Sequence, residues 1–68
     1  MNKPDRLEIW LGKNLLLAID SSFAPAEGDL INIKKVTYQV MGRSFTIDHA
    51  DDIALRQVRC NIIVEPVA

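Results

Sequence analysis

The sequence predicts an all-β, mainly antiparallel domain: a small barrel of five or six short strands, with one short helix or turn near residues 49–56. Three observations lead there. Apolar and polar residues alternate in short runs such as Ile31-Asn32-Ile33 and Cys60-Asn61-Ile62, the two-residue period of a half-buried strand. Turn-forming residues punctuate these runs at close spacing: Gly12-Lys13-Asn14, Gly28-Asp29 and Gly42. The inward parity also changes twice along the chain, which is how turns and bulges steer strands around the corners of a barrel.

The first alternation places Leu7, Ile9 and Leu11 on one side, and after Gly12-Lys13-Asn14 it resumes with Leu15, Leu17 and Ile19. A three-residue loop would pair Leu11 with Leu15, Ile9 with Leu17 and Leu7 with Ile19, and would set Trp10 opposite Leu16 on the other face. A helix over the same stretch is disfavoured by Gly12 and Asn14 in mid-run. Ser21 to Glu27 reads as a connecting loop, with Phe23 folded back over one end of the core. Gly28-Asp29 opens the next strand, Ile31 and Ile33 facing inward.

Inward parity then passes from odd to even at Val36, Tyr38 and Val40, as a two-residue turn at Lys34-Lys35 would require; a bulge or a wider loop is the alternative, since lysines are poor residues for that turn. It returns to odd at Phe45 and Ile47. Either Met41-Gly42-Arg43-Ser44 is a hairpin loop, or Gly42 bulges one long strand. Asp48 is expected to cap one or two helical turns around Ile53-Ala54-Leu55-Arg56, with Asp51 and Asp52 in the first turn. The last strand turns Val58, Cys60, Ile62 and Val64 inward and Arg59 and Asn61 outward.

The run Pro25-Ala26-Glu27-Gly28-Asp29-Leu30-Ile31-Asn32-Ile33, followed by Val36-Thr37-Tyr38-Gln39-Val40 and Arg43-Ser44-Phe45, resembles the Pro-x-x-Gly-Asp, strand, Tyr-x-Val, strand grammar of small SH3-like β-barrels. The resemblance covers about a third of the chain, at the level of fold. It implies an SH3-like barrel of the kind found among short bacterial and phage-encoded proteins, some of which serve in virion assembly. The sequence departs from the pattern at Lys34-Lys35, where glycine is more usual, and in its apolar first hairpin. One fold hosts many functions, so no functional residue is carried over.

Sixty-eight residues, 49% hydrophobic and 25% charged, form a single small globular domain over 1–68. A core this small is marginal unless it is stapled or assembled with copies of itself. The lone Cys60 excludes an internal disulfide, and no ligand cluster suggests a structural zinc, which leaves oligomerisation. A net charge of −1 gives no footprint for nucleic acid or an acidic membrane. The N-terminal residues fit neither a signal peptide nor a membrane span, and a cytoplasmic location is expected.

Chemistry finds little purchase. Asp48, His49, Asp51 and Asp52 could hold a divalent metal or an acid–base pair, but neighbours in a turn point different ways and no second histidine or cysteine completes a set. Cys60, with His49 as its only base, lies inward on an apolar strand where thiols pack inertly. Ser21, Ser22 and Ser44 lack a nucleophile elbow, and the isolated glycines lack phosphate-loop spacing. No catalytic, cofactor-binding or metal residue is therefore assigned. A nucleic-acid barrel would use Tyr38 and Phe45 with Lys34, Lys35, Arg43, Arg56 and Arg59, yet both aromatics fall at inward positions and acids offset the cations.

The remaining signal is apolar. Trp10, Leu16, Leu30 and Ile63 fall at outward positions, and a contiguous set of this kind marks a partner surface unless the helix near Ile53 and Leu55 covers it. The sequence thus leads to a non-enzymatic interaction module that forms a homodimer or docks on another protein through these four residues, with a nucleic-acid-binding barrel or a small subunit of a phage or other assembly as alternatives.

Overall fold

The computed structural model describes residues 2–67. Five strands, β1 (Arg6–Leu11), β2 (Asn14–Asp20), β3 (Leu30–Ile33), β4 (Val36–Asp48) and β5 (Gln57–Pro66), form one sheet in the order β2-β1-β5-β4-β3. All neighbours are antiparallel except β1 and β5. The sheet curls into a half-barrel and stays open between its edge strands β2 and β3, so the predicted all-β, mainly antiparallel class holds. A single 3₁₀ turn, Ile53–Leu55, joins β4 to β5 where a short helix or turn was expected.

The first hairpin shows how turn chemistry sets register. Its loop has two residues, Gly12 and Lys13, not three, and Leu11 pairs with Asn14 and Trp10 with Leu15. Gly12 has φ 58, the positive value that the first residue of a type II′ turn needs and that glycine supplies without a Cβ clash. A two-residue loop would by itself turn the wrong residues of β2 inward. The register shifts beside Ile9/Trp10, leaving Leu16 as the extra residue, and the expected pairs Ile9–Leu17 and Leu7–Ile19 are restored. Trp10 is therefore not opposite Leu16.

The second hairpin follows the two-residue reading. Ile33 pairs with Val36, and Lys34 and Lys35 both adopt positive φ, 50 and 69. β4 then runs unbroken for 13 residues. Its register shifts between Val40 and Gly42, so Met41 is the unpaired residue of a bulge and no hairpin loop forms there. The Pro25-to-Asp29 segment is tied to this strand: the Gly28 N–H donates to the Val40 carbonyl, the Val40 N–H to the Asp29 carbonyl, and the Asp29 carboxylate accepts the Ala26 N–H at 2.8 Å.

The core lies where the sheet is deepest. Leu7, Ile9, Val40, Cys60, Ile62 and Val64 are buried, and Leu16, Leu17, Ala24, Ile31, Ile33 and Tyr38 pack around them. Several of the residues expected to face into the core are not covered, Ile47 at 69% exposed among them. Phe45 is 56% exposed, because β3 and its preceding loop do not reach that part of β4; Phe23, at 72%, stands at the mouth of the half-barrel and covers nothing. The cap of the 3₁₀ turn is Asp52, whose Oδ1 accepts the Ala54 N–H at 3.0 Å. Asp48 remains in β4 and binds Arg59 instead, since the strand continues to that residue.

Candidate functional site: the uncovered inner face

β1 divides its side chains between two faces. Leu7 and Ile9 enter the core, while Arg6, Glu8 and Trp10 share the outer face with Arg59, Asn61 and Ile63 of β5. Glu8 is buried there, held by the Arg6 Nε at 2.8 Å and by the indole N–H of Trp10 at 3.3 Å. Nearby, the Arg59 Nη2 donates to the Asp48 Oδ1 at 3.2 Å, and Asn61 donates to the Thr46 hydroxyl at 3.0 Å. This outer face is a polar network in which the buried Arg59 Nε makes only an ion-pair contact, 3.0 Å from the Asp48 Oδ2, without a hydrogen bond of its own.

The four residues expected to form an interface are split. Trp10 and Ile63 are direct neighbours in the β1–β5 register, with Trp10 half-buried and Ile63 exposed. Leu16 is half-buried at the β2 bulge and packs on the core cluster. Leu30 lies across the sheet on the edge strand β3, paired with Gln39, and lines a groove on the inner side. The 3₁₀ turn does not cover Trp10: it leads into the Gln57 end of β5, whereas Trp10 pairs at Ile63, six residues along. Ile53 and Leu55 are themselves about half exposed.

The chemical candidates do not converge. Asp48 is engaged by Arg59, Asp52 caps the 3₁₀ turn and His49 is exposed; among the described residues no three His, Cys, Asp or Glu side chains are placed to hold a metal ion. Cys60 is buried, and burial pushes its thiol pKa up from 9.0, with the nearby Arg43 pulling weakly the other way. That environment suits a packed thiol and disfavours a nucleophilic thiolate. Ser21 accepts the Phe23 N–H in its own loop. Of the cations, Arg56 donates to the Ala50 carbonyl, and Lys34 and Lys35 form a turn at one end of the sheet. Arg43 lies over an aromatic ring, 5.7 Å from the centre of Phe45.

What the structure assembles is an apolar surface that sequence parity did not identify as exposed. Between the open edges β2 and β3 runs a groove of about 510 Å³, floored by Leu7, Ile9 and Leu17 and flanked by Ile19, Phe23, Leu30, Ile31 and Ile33. Farther along the same inner face, where β4 outruns β3, Phe45, Ile47 and Val58 are 56%, 69% and 37% exposed. The detectable signal was one of length. An apolar alternation carried to Ile47 on a strand whose hairpin partner has only four residues leaves its far half with one neighbour.

Among the described residues no helix is long and apolar enough to cross a membrane. Compared with family models, curated proteins and solved structures, the chain matches none.

Proposed function

We propose that this chain is a non-catalytic interaction module of the cytoplasm that assembles with copies of itself through the uncovered inner face of its half-barrel. One observation carries the reading. The chain exposes 4900 Å², whereas a compact monomer of its 7.6 kDa is expected to expose roughly 4300 Å². The excess, roughly 600 Å² per chain, gives roughly 1200 Å² when two copies meet, the lower limit of a stable specific interface. Shape agrees: the radius of gyration is 13.0 Å, against about 11 Å for a compact chain of this length. Large apolar side chains, Ile47, Leu30, Phe45 and Ile19 among them, are part of the exposed surface, which water disfavours.

Sedimentation across the micromolar range tests this. A small interface dissociates on dilution, so the expected result is a concentration-dependent species heavier than the monomer. A folded chain that sediments as a monomer throughout overturns the proposal. The outer pair of Trp10 and Ile63 is a smaller candidate contact, and Ile63→Lys in the same assay reads its share.

A further inference from the structure

The uncovered face ends in an uncovered strand edge. β4 pairs with β5 from Tyr38 to Asp48, but on its other side β3 reaches only to Gln39, the Gly28–Asp29 segment reaches Val40, and Arg43 touches the Ala24 carbonyl with its guanidinium. From Ser44 to Asp48 that side has no backbone hydrogen-bond partner among the described residues.

The other two edges carry the devices that keep sheets from pairing further. β3 is four residues long and ends in Lys34-Lys35, and β2 is distorted by the bulge at Leu16. Ser44-Phe45-Thr46-Ile47-Asp48 has no proline, lysine or bulge, and its two largest side chains, Phe45 and Ile47, are exposed on the inner face.

The geometry points to a second copy of this chain as the occupant of that edge: two β4 strands pair antiparallel about a two-fold axis at Thr46, joining two half-barrels into one continuous ten-stranded sheet. This rests on the self-association proposed above and specifies its contact. Symmetry and pleat select the register. In an antiparallel pair, residues directly opposite share a face, so the axis must pass through a residue, and only Thr46 lets all five free residues find partners. Ser44 then faces Asp48 of the second copy, and Phe45 faces its Ile47, twice. Aromatic and β-branched side chains are favourable cross-strand pairs, and here they cover one another on the face left bare in the single chain. The unpaired amides and carbonyls of the edge are satisfied in the same step.

Two measurements test it. Ile47→Lys alters a side chain that is mostly exposed in the single chain, so the variant folds, and it is expected to weaken association at least tenfold (roughly one buried aliphatic side chain per copy). Hydrogen exchange on the wild type should show alternate amides of Ser44 to Asp48, those directed away from β5, becoming protected as concentration rises. An assembly that forms while these amides exchange freely, or that Ile47→Lys leaves intact, overturns the edge pairing and leaves self-association standing. A wild-type monomer at every concentration overturns both.

Discussion

Replacing Lys34-Lys35 with Asn-Gly should raise the thermal midpoint by several degrees, although neither lysine contributes to the core. The two residues form the whole loop between Ile33 and Val36, and both have positive φ, 50 and 69, as a type I′ turn demands. An L-residue with a Cβ is strained in the left-handed region by about 1–2 kcal/mol. Glycine at 35 removes that strain but returns about 0.5–1 kcal/mol through the greater freedom of the unfolded chain. Asparagine tolerates the left-handed region better than lysine and adds a smaller gain at 34. The net is about 1 kcal/mol, or about 4–8 °C in a domain of this size. Thermal unfolding followed by circular dichroism measures it, with both proteins at one concentration because association also raises the midpoint. The double alanine variant separates causes: it removes both charges and keeps the strained Cβ atoms, so it should not stabilise. An unchanged or lowered midpoint for Asn-Gly, or an equal rise for Ala-Ala, refutes the strain argument.

Three further outcomes follow from burial. Glu8→Ala removes the acceptor of the half-buried Trp10 indole N–H and the ion-pair partner of Arg6, whose side chain is 40% exposed, and should cost about 1 kcal/mol in urea unfolding, while Glu8→Gln, which keeps an acceptor, should cost less. Ile62, at 0% exposed, should lose about 2–5 kcal/mol as alanine, whereas Ile47→Ala, at 69%, should stay within about 0.5 kcal/mol when the chain is dilute enough to be monomeric. Cys60 carries a pH signature. Its folded pKa is raised, so above the ordinary value of 9.0 the unfolded chain gives up its proton first, and stability falls as pH rises toward the folded value. The slope from this group is at most about 1.4 kcal/mol per pH unit. Cys60→Ala should remove that component from an alkaline unfolding series.

Strand order of residues was far more legible in the sequence than strand neighbourhood. Alternation separated Leu7 and Ile9 from Glu8 and Trp10, and Cys60, Ile62 and Val64 from Arg59 and Asn61, because a pleat assigns sides by count alone. It could not separate a two-residue loop followed by a bulge from a three-residue loop, since both bring Leu17 and Ile19 to the same side; Leu16 therefore moved relative to Trp10. Asp48 was misread for a related reason. An acid before a short helix and an acid ending a strand look alike until Arg59, eleven residues on, is known to lie alongside. The buried Glu8 depended on the parallel β1–β5 pairing, a contact between residues more than fifty apart that no local pattern encodes.

The same distinction between side and cover explains where an interaction surface arises. β5 is flanked by β1 and β4 together only from Arg59 to Ile63, and in that span its inward residues Cys60 and Ile62 are buried. Val58, one pleat earlier on the same side, has lost β1 and is 37% exposed; Ile47, opposite it on β4, has no further strand beside it and is 69% exposed. Toward this end of the sheet, exposure on the inner face thus rises with each neighbouring strand that is missing, whereas at the opposite end Val64, also beyond the β1 pairing, stays buried in the core. Sequence parity assigns Val58, Phe45 and Ile47 to the core because it records only direction. Burying them takes another strand beside β4, and among the described residues the chain has no strand left to supply one, which is the physical ground for expecting it from another copy.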